Sequence, residues 1–358
     1  MDWPEILTLT FNLFMCIPTL ASLTKLDNWW VRGFDFPRVQ ISALIVVSIL
    51  LSLWVYNFEH DWHFVITGVL IICLIYQLVK IYPYTFIAPK QVVAYEGDDS
   101  KEHISILVSN VLTENRAYKR FTDLVQDRNP DMFLTLETDK KWENALAPLE
   151  KDYEYSAKIP LSNLYGMHLY SKLVLEDIEI KFLVKDDIPS IHGFVRLPNG
   201  KKVAIHCLHP RPPSPSESDS STERDAELLL VAREINVDDG PVLVFGDFND
   251  VAWSRTALLF QKISGLLDPR RGRGFFNTYN ANYRLLRWPL DHVFHTKNFT
   301  LIELARCEHI GSDHFPMYIK LNYSEEAEEI QEAPKADKED KEFADEKVEK
   351  ASPKERSL

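Results

Sequence analysis

The sequence predicts an α+β protein in which transmembrane helices precede two packed β-sheets flanked by helices. Apolar residues crowd into the first 85 positions, in long stretches that carry almost no charge. In the middle of the chain, many short apolar segments alternate with only a few amphipathic ones, a pattern that favours two sheets packed together with helices outside. Charged residues crowd into the last 35 positions.

Residues 1–83 are expected to anchor the chain in a membrane through two to three helices. The apolar stretches cover residues 6–23, 39–56 and 62–79, and the last two approach the roughly 20 apolar residues of a spanning helix. Trp and Tyr residues at their ends suit the membrane interface. Asn12 and Pro18 make the first stretch the weakest. The alternatives are a buried helical hairpin and a cleaved signal peptide, although no basic region precedes the first stretch.

Residues 84–101 are expected to form a polar linker, residues 102–323 a globular catalytic domain, and residues 324–358 a disordered charged tail. Apolar spacing predicts helices near residues 118–125, 225–235 and 255–263. Asn199-Gly200 signals a hairpin turn. The predicted strands are residues 103–110, 132–137, 178–184, 193–197, 203–208, 242–246, 292–295, 301–306 and 317–321.

The formal charge of −13 disfavours a nucleic acid backbone as partner unless basic groups cluster locally, whereas an acidic site that collects metal ions is compatible with it. The four cysteines show no CxxC spacing, so neither a zinc site nor a disulfide framework is expected.

Polar side chains close most of the predicted strands, and a packed sheet can deliver such side chains to one edge. Oxygen donors in this number suit magnesium, manganese or calcium better than zinc, and histidines among them can exchange protons near neutral pH. The strand-end residues are Asn110, Glu137, His209, Asp247, Asn249, Asp291, Asp313 and His314.

The motifs SNV, LTLET, CLHPRPP, GDFND, PLDHVF and GSDHFP occur in this order between Ser109 and Pro316. This series resembles the endonuclease/exonuclease/phosphatase family, the superfamily of pancreatic deoxyribonuclease and neutral sphingomyelinases. The resemblance covers nearly the whole globular region, and it implies a four-layer, deoxyribonuclease-I-like α/β sandwich. It also implies a divalent cation, Mg²⁺ or Mn²⁺, with Glu137 as principal ligand and Asn110 and Asp313 completing or supporting the site.

The resemblance further implies catalytic roles. Asp247 would orient the attacking water or act as its base, and Asn249 would hold a phosphate oxygen. His314 would contact the scissile phosphate, with Asp291 fixing its ring. His209 resembles the deoxyribonuclease histidine after the same strand, where abasic-site enzymes have tyrosine; its acidic partner cannot be identified from the sequence.

A basic loop at residues 268–273 stands out in an acidic protein. Arg270, Arg271 and Arg273 are either a solvated loop or a phosphate-binding patch, because guanidinium groups match phosphate oxygens. Lys172 is a weaker candidate of the same kind. The histidines outside the motifs are interpreted as structural.

The implied function is a membrane-anchored, metal-dependent phosphoesterase that hydrolyses a phosphodiester or phosphomonoester by in-line attack of water. Its substrate is left open between nucleic acid and a phospholipid head group, and its expected partner is the lipid bilayer, with no obligate protein partner. The alternative is a catalytically inactive, membrane-tethered binding module on the same fold.

Basic residues predict the orientation of the anchor. Lys25, Arg32 and Arg38 lie between the first two stretches, and Lys80 and Lys90 follow the third. Because cytoplasmic loops carry an excess of Lys and Arg, the chain is expected in the cell (inner) membrane with its N-terminus outside and its catalytic domain in the cytoplasm.

Overall fold

A computed structural model describes residues 1–97 and 102–351, and it confirms the predicted fold class. Within these ranges, short 3₁₀ turns supplement ten α-helices and eleven strands. The helices are α1 Trp3–Leu23, α2 Trp29–Arg32, α3 Arg38–Val55, α4 Asp61–Ile81, α5 Tyr118–Arg128, α6 Lys140–Leu146, α7 Thr222–Glu234, α8 Arg255–Ser264, α9 Ala327–Ile330 and α10 Lys338–Ala351. The strands are β1 His103–Asn110, β2 Met132–Leu136, β3 Tyr155–Ile159, β4 Met167–Ser171, β5 Leu175–Lys181, β6 Ser190–Arg196, β7 Lys202–Leu208, β8 Val242–Asp247, β9 Asp291–His295, β10 Phe299–Arg306 and β11 Met317–Tyr323.

The strands form two mixed sheets. The six-stranded sheet has the order β10-β11-β1-β2-β4-β3, and the five-stranded sheet has the order β5-β6-β7-β8-β9. β1 and β2 are parallel, as are β7 and β8, while the other neighbouring pairs are antiparallel. The carboxyl ends of the central strands of both sheets therefore meet at one edge of the sandwich.

Apolar side chains from both sheets fill the space between them. Ile106 and Leu134 of one sheet belong to the same buried cluster as Ile205 and Phe245 of the other. Helices α5 and α6 cover the outer face of the first sheet, and α7 and α8 cover that of the second. This arrangement gives the four layers that the resemblance implied and provides a rigid frame for the strand ends.

Helices α1, α3 and α4 are long and apolar enough to cross a membrane. Asn12, which made the first stretch look weak, lies inside the bundle that these helices form. Its Nδ2 donates to Ser52 Oγ at 2.8 Å, and its Oδ1 accepts from Ser48 Oγ at 2.6 Å. Because polar groups at a helix–helix interface can satisfy one another, Asn12 is compatible with a spanning helix.

The described part of the 84–101 segment packs on the globular domain, which corrects the prediction of a polar linker. Tyr84 is fully buried, and its hydroxyl donates to Ala252 O at 2.6 Å. Val92 belongs to the core between the sheets, and the chain beside it pairs with Leu301 of β10. Enough apolar side chains are present to dock this segment. Residues 98–101 lie outside the described residues.

Part of the charged tail is folded, whereas the sequence predicted that residues 324–358 are disordered. Residues 338–351 form α10, which packs on α7 and α8 through Phe343 and Ala344. A helix needs only a narrow apolar stripe when a complementary surface is available, so low overall hydrophobicity did not exclude folding. Residues 352–358 of the predicted tail lie outside the described residues.

Within residues 102–323, two strands and one helix escaped the sequence prediction; outside that range, the short helices α2 and α9 and helix α10 were not predicted either. β3 and β4 form the edge of the six-stranded sheet, and α6 lies beside them. β3 alternates apolar and polar residues over only five positions, and β4 is equally short, so neither pattern was long enough to be recognised as a strand. The predicted hairpin at Asn199-Gly200 is present between β6 and β7, where Gly200 has a φ of 89°.

Candidate active site

The strand-end residues lie together at the edge where the two sheets meet. Asn110 ends β1 and Glu137 follows β2, whereas Asp247 ends β8 and Asp291 begins the antiparallel β9. His209 follows β7, and Asp313 and His314 precede β11. The structure thus brings together all eight strand-end residues that the sequence singled out.

The amide of Asn110 joins carboxylates from both sheets. Its Nδ2 donates to Glu137 Oε1 at 2.7 Å and to Asp247 Oδ2 at 3.1 Å. Glu137 has a φ of 58°, and Thr113 Oγ1 donates to its carbonyl at 2.7 Å. A non-glycine residue in this left-handed region is uncommon and requires support from its surroundings. The local backbone is therefore built to aim the Glu137 side chain.

His314 lies between two carboxylates. Its Nδ1 is 2.8 Å from Asp291 Oδ2, and its Nε2 is 3.5 Å from Asp247 Oδ2. Ser312 Oγ accepts from the His314 backbone N at 3.0 Å and donates to Asn110 O at 2.8 Å. Hydrogen bonds of Ser312 therefore connect the GSDHFP motif to the SNV motif that contains Asn110.

Two further residues complete the cluster. His209 Nε2 is 3.9 Å from Asp247 Oδ2, which makes Asp247 the acidic neighbour that the sequence did not identify. The backbone N of Asn249 donates to Asp247 Oδ1 at 2.9 Å, and its Nδ2 donates to Pro210 O at 3.0 Å. The GDFND turn therefore holds Asp247 and Asn249 in a fixed relation.

Burial and charge shift the pKa values within this cluster. Burial raises the pKa of Glu137 to about 7 and also raises that of Asp247. Burial opposes protonation of His314, but the charges of Asp291 and Asp247 outweigh it and raise the pKa to about 10. Burial lowers the pKa of His209 to about 4. The site thus pairs a cationic imidazole with a neutral one.

The donors fit a hard divalent cation. Asp247, Asp291 and His314 offer ligand atoms within 4.8 Å of one another. The bond to Asp291 occupies His314 Nδ1, whereas Glu137 and Asp247 converge on one amide. Asp291 Oδ1 is buried without a hydrogen-bond partner among the described residues. Buried, closely spaced carboxylates of this kind are the ligands that Mg²⁺ and Mn²⁺ prefer.

The structure does not support the prediction that the arginines of the basic loop bind the substrate. Arg270 is 1% exposed, and its guanidinium is bonded to Asp268, His292 and the carbonyl of Asp291. The Arg270 guanidinium forms a bidentate ion pair with the buried Asp268 carboxylate, two residues earlier. Arg270 therefore supports the backbone of the site and does not face a substrate.

Neither of the flanking arginines is supported as a phosphate ligand. Arg273 donates to the carbonyls of Pro269 and Val92, so its guanidinium fastens the loop to the segment before β1. The Arg271 guanidinium lies over the ring of Tyr84, 5.9 Å from its centroid.

The prediction that Lys172 binds the substrate is also not supported, because Lys172 lies away from the strand-end cluster. Its backbone N donates to Asp131 O beside the first residue of β2, at the sheet edge opposite Glu137. Its Nζ donates to Asn129 Oδ1 at 2.5 Å.

Sequence reasoning missed several residues that position the cluster. Arg224 of α7 is buried and donates to Asn249 O at 2.9 Å. The ring of Tyr279 lies 4.9 Å from that of His314, and the ring of Tyr165 lies 5.4 Å from that of His209. Only Ser312 carried a signal, because it stands inside the GSDHFP motif.

The fold and the site together define a hydrolase fold in which two packed sheets present carboxylates, amides and histidines at a shared edge. The chain belongs to the endonuclease/exonuclease/phosphatase family, whose model matches residues 107–314, more than half of the chain.

Solved structures share the fold. Humanized D. rerio TDP2 superposes with a TM-score of 0.52 at 17% identity, covering 62% of this chain and 100% of that chain. The human Nocturnin catalytic domain with bound sulfate superposes with a TM-score of 0.52 at 15% identity, covering 63% and 97%. D. rerio TDP2 complexed with a single-strand DNA product gives a TM-score of 0.51 at 17% identity, covering 63% and 100%.

A UPF0294 protein of Vibrio cholerae serotype O1 (strain ATCC 39315 / El Tor Inaba N16961) is 28% identical over 136 residues. The match covers 37% of this chain and 44% of that protein, so the chain spans less than half the length of this relative.

Proposed function

We propose that the protein is a membrane-anchored, divalent-metal-dependent phosphoric ester hydrolase. The observation that carries the proposal is the position of His314 between Asp291 and Asp247, beside the Asn110–Glu137 pair, at the joint edge of the sheets. Histidine and carboxylate groups within hydrogen-bond reach of one another can position a water molecule and stabilise charge on a phosphoryl group.

Each side chain has a part in this proposal. Asp291 holds Nδ1 of His314, so Nε2 is left to donate to a non-bridging oxygen of the scissile phosphate. Asp247 is placed to accept a proton from the attacking water, and Asn249 to hold a phosphate oxygen. His209, beside Asp247, is placed to contact the phosphate from the other sheet.

Glu137, with Asn110 and Asp313, would hold the divalent cation. When bound, Mg²⁺ or Mn²⁺ supplies Lewis-acid polarisation of the phosphoryl oxygen. The half-buried Glu137 and the buried Asp247 bond to the same Asn110 amide, and this close spacing of carboxylates supports the assignment.

The membrane part of the proposal is supported by helices α1, α3 and α4. We propose that all three cross the cell membrane and that the catalytic domain faces the cytoplasm, where the basic residues near the helix ends favour it. The end of α1, the start of α3 and the end of α4 all adjoin the catalytic domain, which agrees with three crossings.

Hydrolysis of bis-p-nitrophenyl phosphate by the full-length protein in detergent tests the proposal. We expect turnover with Mg²⁺ or Mn²⁺ and none in EDTA. His314→Ala should lower kcat by roughly 100-fold or more, because it removes a positioned donor to the phosphate. The matched control is His60→Ala, an exposed histidine at the start of α4. Absence of turnover under all conditions would favour the inactive binding module, and full activity of His314→Ala would refute the mechanism.

A further inference from the structure

A loop beside the active site exposes large apolar side chains. Between Ala281 and Trp288 the chain leaves the domain surface, and on it Tyr283 is 59% exposed, Leu285 81% and Leu286 47%. Isolated exposed apolar residues are ordinary, but three within four positions on one loop tip indicate a surface that contacts an apolar partner. We call residues 282–287 the apolar loop.

The base of the apolar loop belongs to the active-site wall. The backbone N of Ala281 donates to Asp313 O at 2.6 Å. Tyr279, two residues earlier, forms an isolated bridge with His314, and its ring lies 4.9 Å from the imidazole. A partner that covers the loop therefore lies against the mouth of the site.

The tip of the apolar loop is fastened to a candidate membrane helix. Gln40 Nε2 donates to Leu285 O at 2.7 Å, and Gln40 lies in the first turn of α3. At the other end of the loop, the Trp288 ring packs edge-on against Phe36, with centroids 5.9 Å apart. If α3 spans the bilayer, its first turn marks the bilayer interface, so Leu285 lies at that depth.

The composition of the loop suits this interface. Arg284 and Arg287 are interspersed among the apolar residues, and tyrosine, tryptophan and arginine favour the boundary between head groups and acyl chains. Arg287 is held in place by the carbonyls of Tyr283 and Ala281. Basic residues at this level attract anionic lipid head groups.

A second exposed apolar pair lies where the chain leaves α4. Phe86 is 83% exposed and Ile87 is 81% exposed, shortly after the last turn of the helix. The apolar loop and this pair therefore flank the ends of two different candidate spans on the side of the catalytic domain. Continuity with the spanning helices favours a lipid surface over a protein partner.

We propose that the apolar loop inserts into the interface of the bilayer that anchors the protein, and that the substrate of the active site is a phospholipid in that layer. This inference rests on the proposed function. In the hydrolysis, the oxygen of water bonds to phosphorus, the bond from phosphorus to the leaving oxygen breaks, and that oxygen takes up a proton. The products are an alcohol and a phosphate monoester.

The activity test uses the full-length protein reconstituted in vesicles of phosphatidylcholine and phosphatidylglycerol, with bis-p-nitrophenyl phosphate as soluble reference. We expect the wild-type protein to cleave both a vesicle phospholipid and the reference. In L285S/L286S, the ratio of the phospholipid rate to the reference rate should fall by about tenfold or more, because loop insertion scales with apolar area. The control is I180S/F182S, which changes an exposed apolar residue of β5 and another just after that strand, and in this control the ratio should stay unchanged.

The outcomes separate the two proposals. Cleavage of the reference but of no vesicle phospholipid, or faster cleavage of added single-stranded DNA or RNA than of lipid, would overturn the substrate assignment and leave the hydrolase intact. Failure to cleave even the reference would overturn the proposed function. An unchanged ratio in L285S/L286S would overturn the role of the loop.

A second measurement locates the loop without using activity. Leu285→Cys is labelled with an environment-sensitive fluorophore, since the four native cysteines are buried. Its emission should shift to the blue in vesicles, whereas Ile180→Cys should keep an aqueous spectrum. Aqueous emission from position 285 would contradict insertion.

Discussion

Glu227 lies on α7 with 2% of its surface exposed, and its Oε1 has no hydrogen-bond partner among the described residues. Burial raises the pKa of this carboxyl from 4.5 to about 8. The folded protein therefore retains a proton that the unfolded chain releases above pH 4.5. Stability linked to Glu227 is fully present below that pH and is lost as pH rises toward 8, by at most about 1.4 kcal/mol per pH unit.

Glu227→Gln should remove this pH dependence, because the amide does not ionise. We expect the variant to raise the thermal unfolding midpoint at pH 8 more than at pH 5, as measured by calorimetry in detergent. The exposed Glu332→Gln serves as control. An equal change at both pH values would show that the Glu227 carboxyl is not kept neutral by the fold.

Motif residues and supporting residues differ in how far the sequence revealed them. Asp247, Asn249, Asp313 and His314 stand in compact motifs at strand ends, so their convergence was predictable. Arg224 was not, because a single arginine in an amphipathic helix looks like a solvated residue. Its partners, Asp250 and the carbonyl of Asn249, are separated from it by a strand and become neighbours only in the folded sheet.

Helix α10 is the element whose structure was least expected from its composition, because a highly charged segment forms a packed helix. Lys347 is 6% exposed; its Nζ donates to Asp225 Oδ2 at 2.9 Å and also contacts Asp27, between α1 and α2. Asp225 bonds to Arg224, which in turn holds the catalytic turn at Asn249. A continuous buried network thus joins α10, the segment between α1 and α2, and the candidate active site.

Lys347→Ala should destabilise the protein by about 1–3 kcal/mol, because Asp225 and Asp27 each lose one buried charged donor and keep only Arg224 and Lys350, respectively. It should also lower kcat for bis-p-nitrophenyl phosphate, since Arg224 would lose a fixed partner. Lys338→Ala, whose side chain is 91% exposed, is the control on the same helix. Wild-type stability and turnover in Lys347→Ala would mean that α10 does not support the site.

Strands with strong apolar runs were predicted within a few residues, because burial on both faces leaves a clear signal. The five-residue edge strand β3 and the docked segment before β1 have no comparable apolar run, and their pairing depends on surfaces supplied by the rest of the fold. The apolar pattern of the sequence therefore predicted the central strands of the sandwich well and the peripheral segments poorly.

The N-terminal helical region and the globular domain share an interface. Trp253 Nε1 donates to Asp35 O at 2.7 Å, and the backbone N of Ser221 donates to Asp27 O at 2.8 Å. Arg32 and Arg38 pair with the buried Asp35 at this interface. These contacts restrict how the domain can tilt relative to the candidate spans.

Protease added to intact spheroplasts should leave the catalytic domain whole, because the positive residues near the helix ends favour a cytoplasmic location. An epitope tag at the N-terminus, expected outside, should be removed under the same conditions. Lysis should then expose the domain to cleavage. Degradation of the domain before lysis would reverse the assigned orientation.

The pairing of β11 with β1 has a consequence for the order in which the protein matures. β11 comes late in the chain but pairs with β1 inside the six-stranded sheet, and Ser312 bonds to Asn110 just beyond that pairing. Because synthesis proceeds from the N-terminus, the anchor helices are made well before the last motif. If α1, α3 and α4 insert into a membrane as proposed, they do so before the set of strand-end residues is complete, and the proposed hydrolytic activity arises only after synthesis has gone past β11.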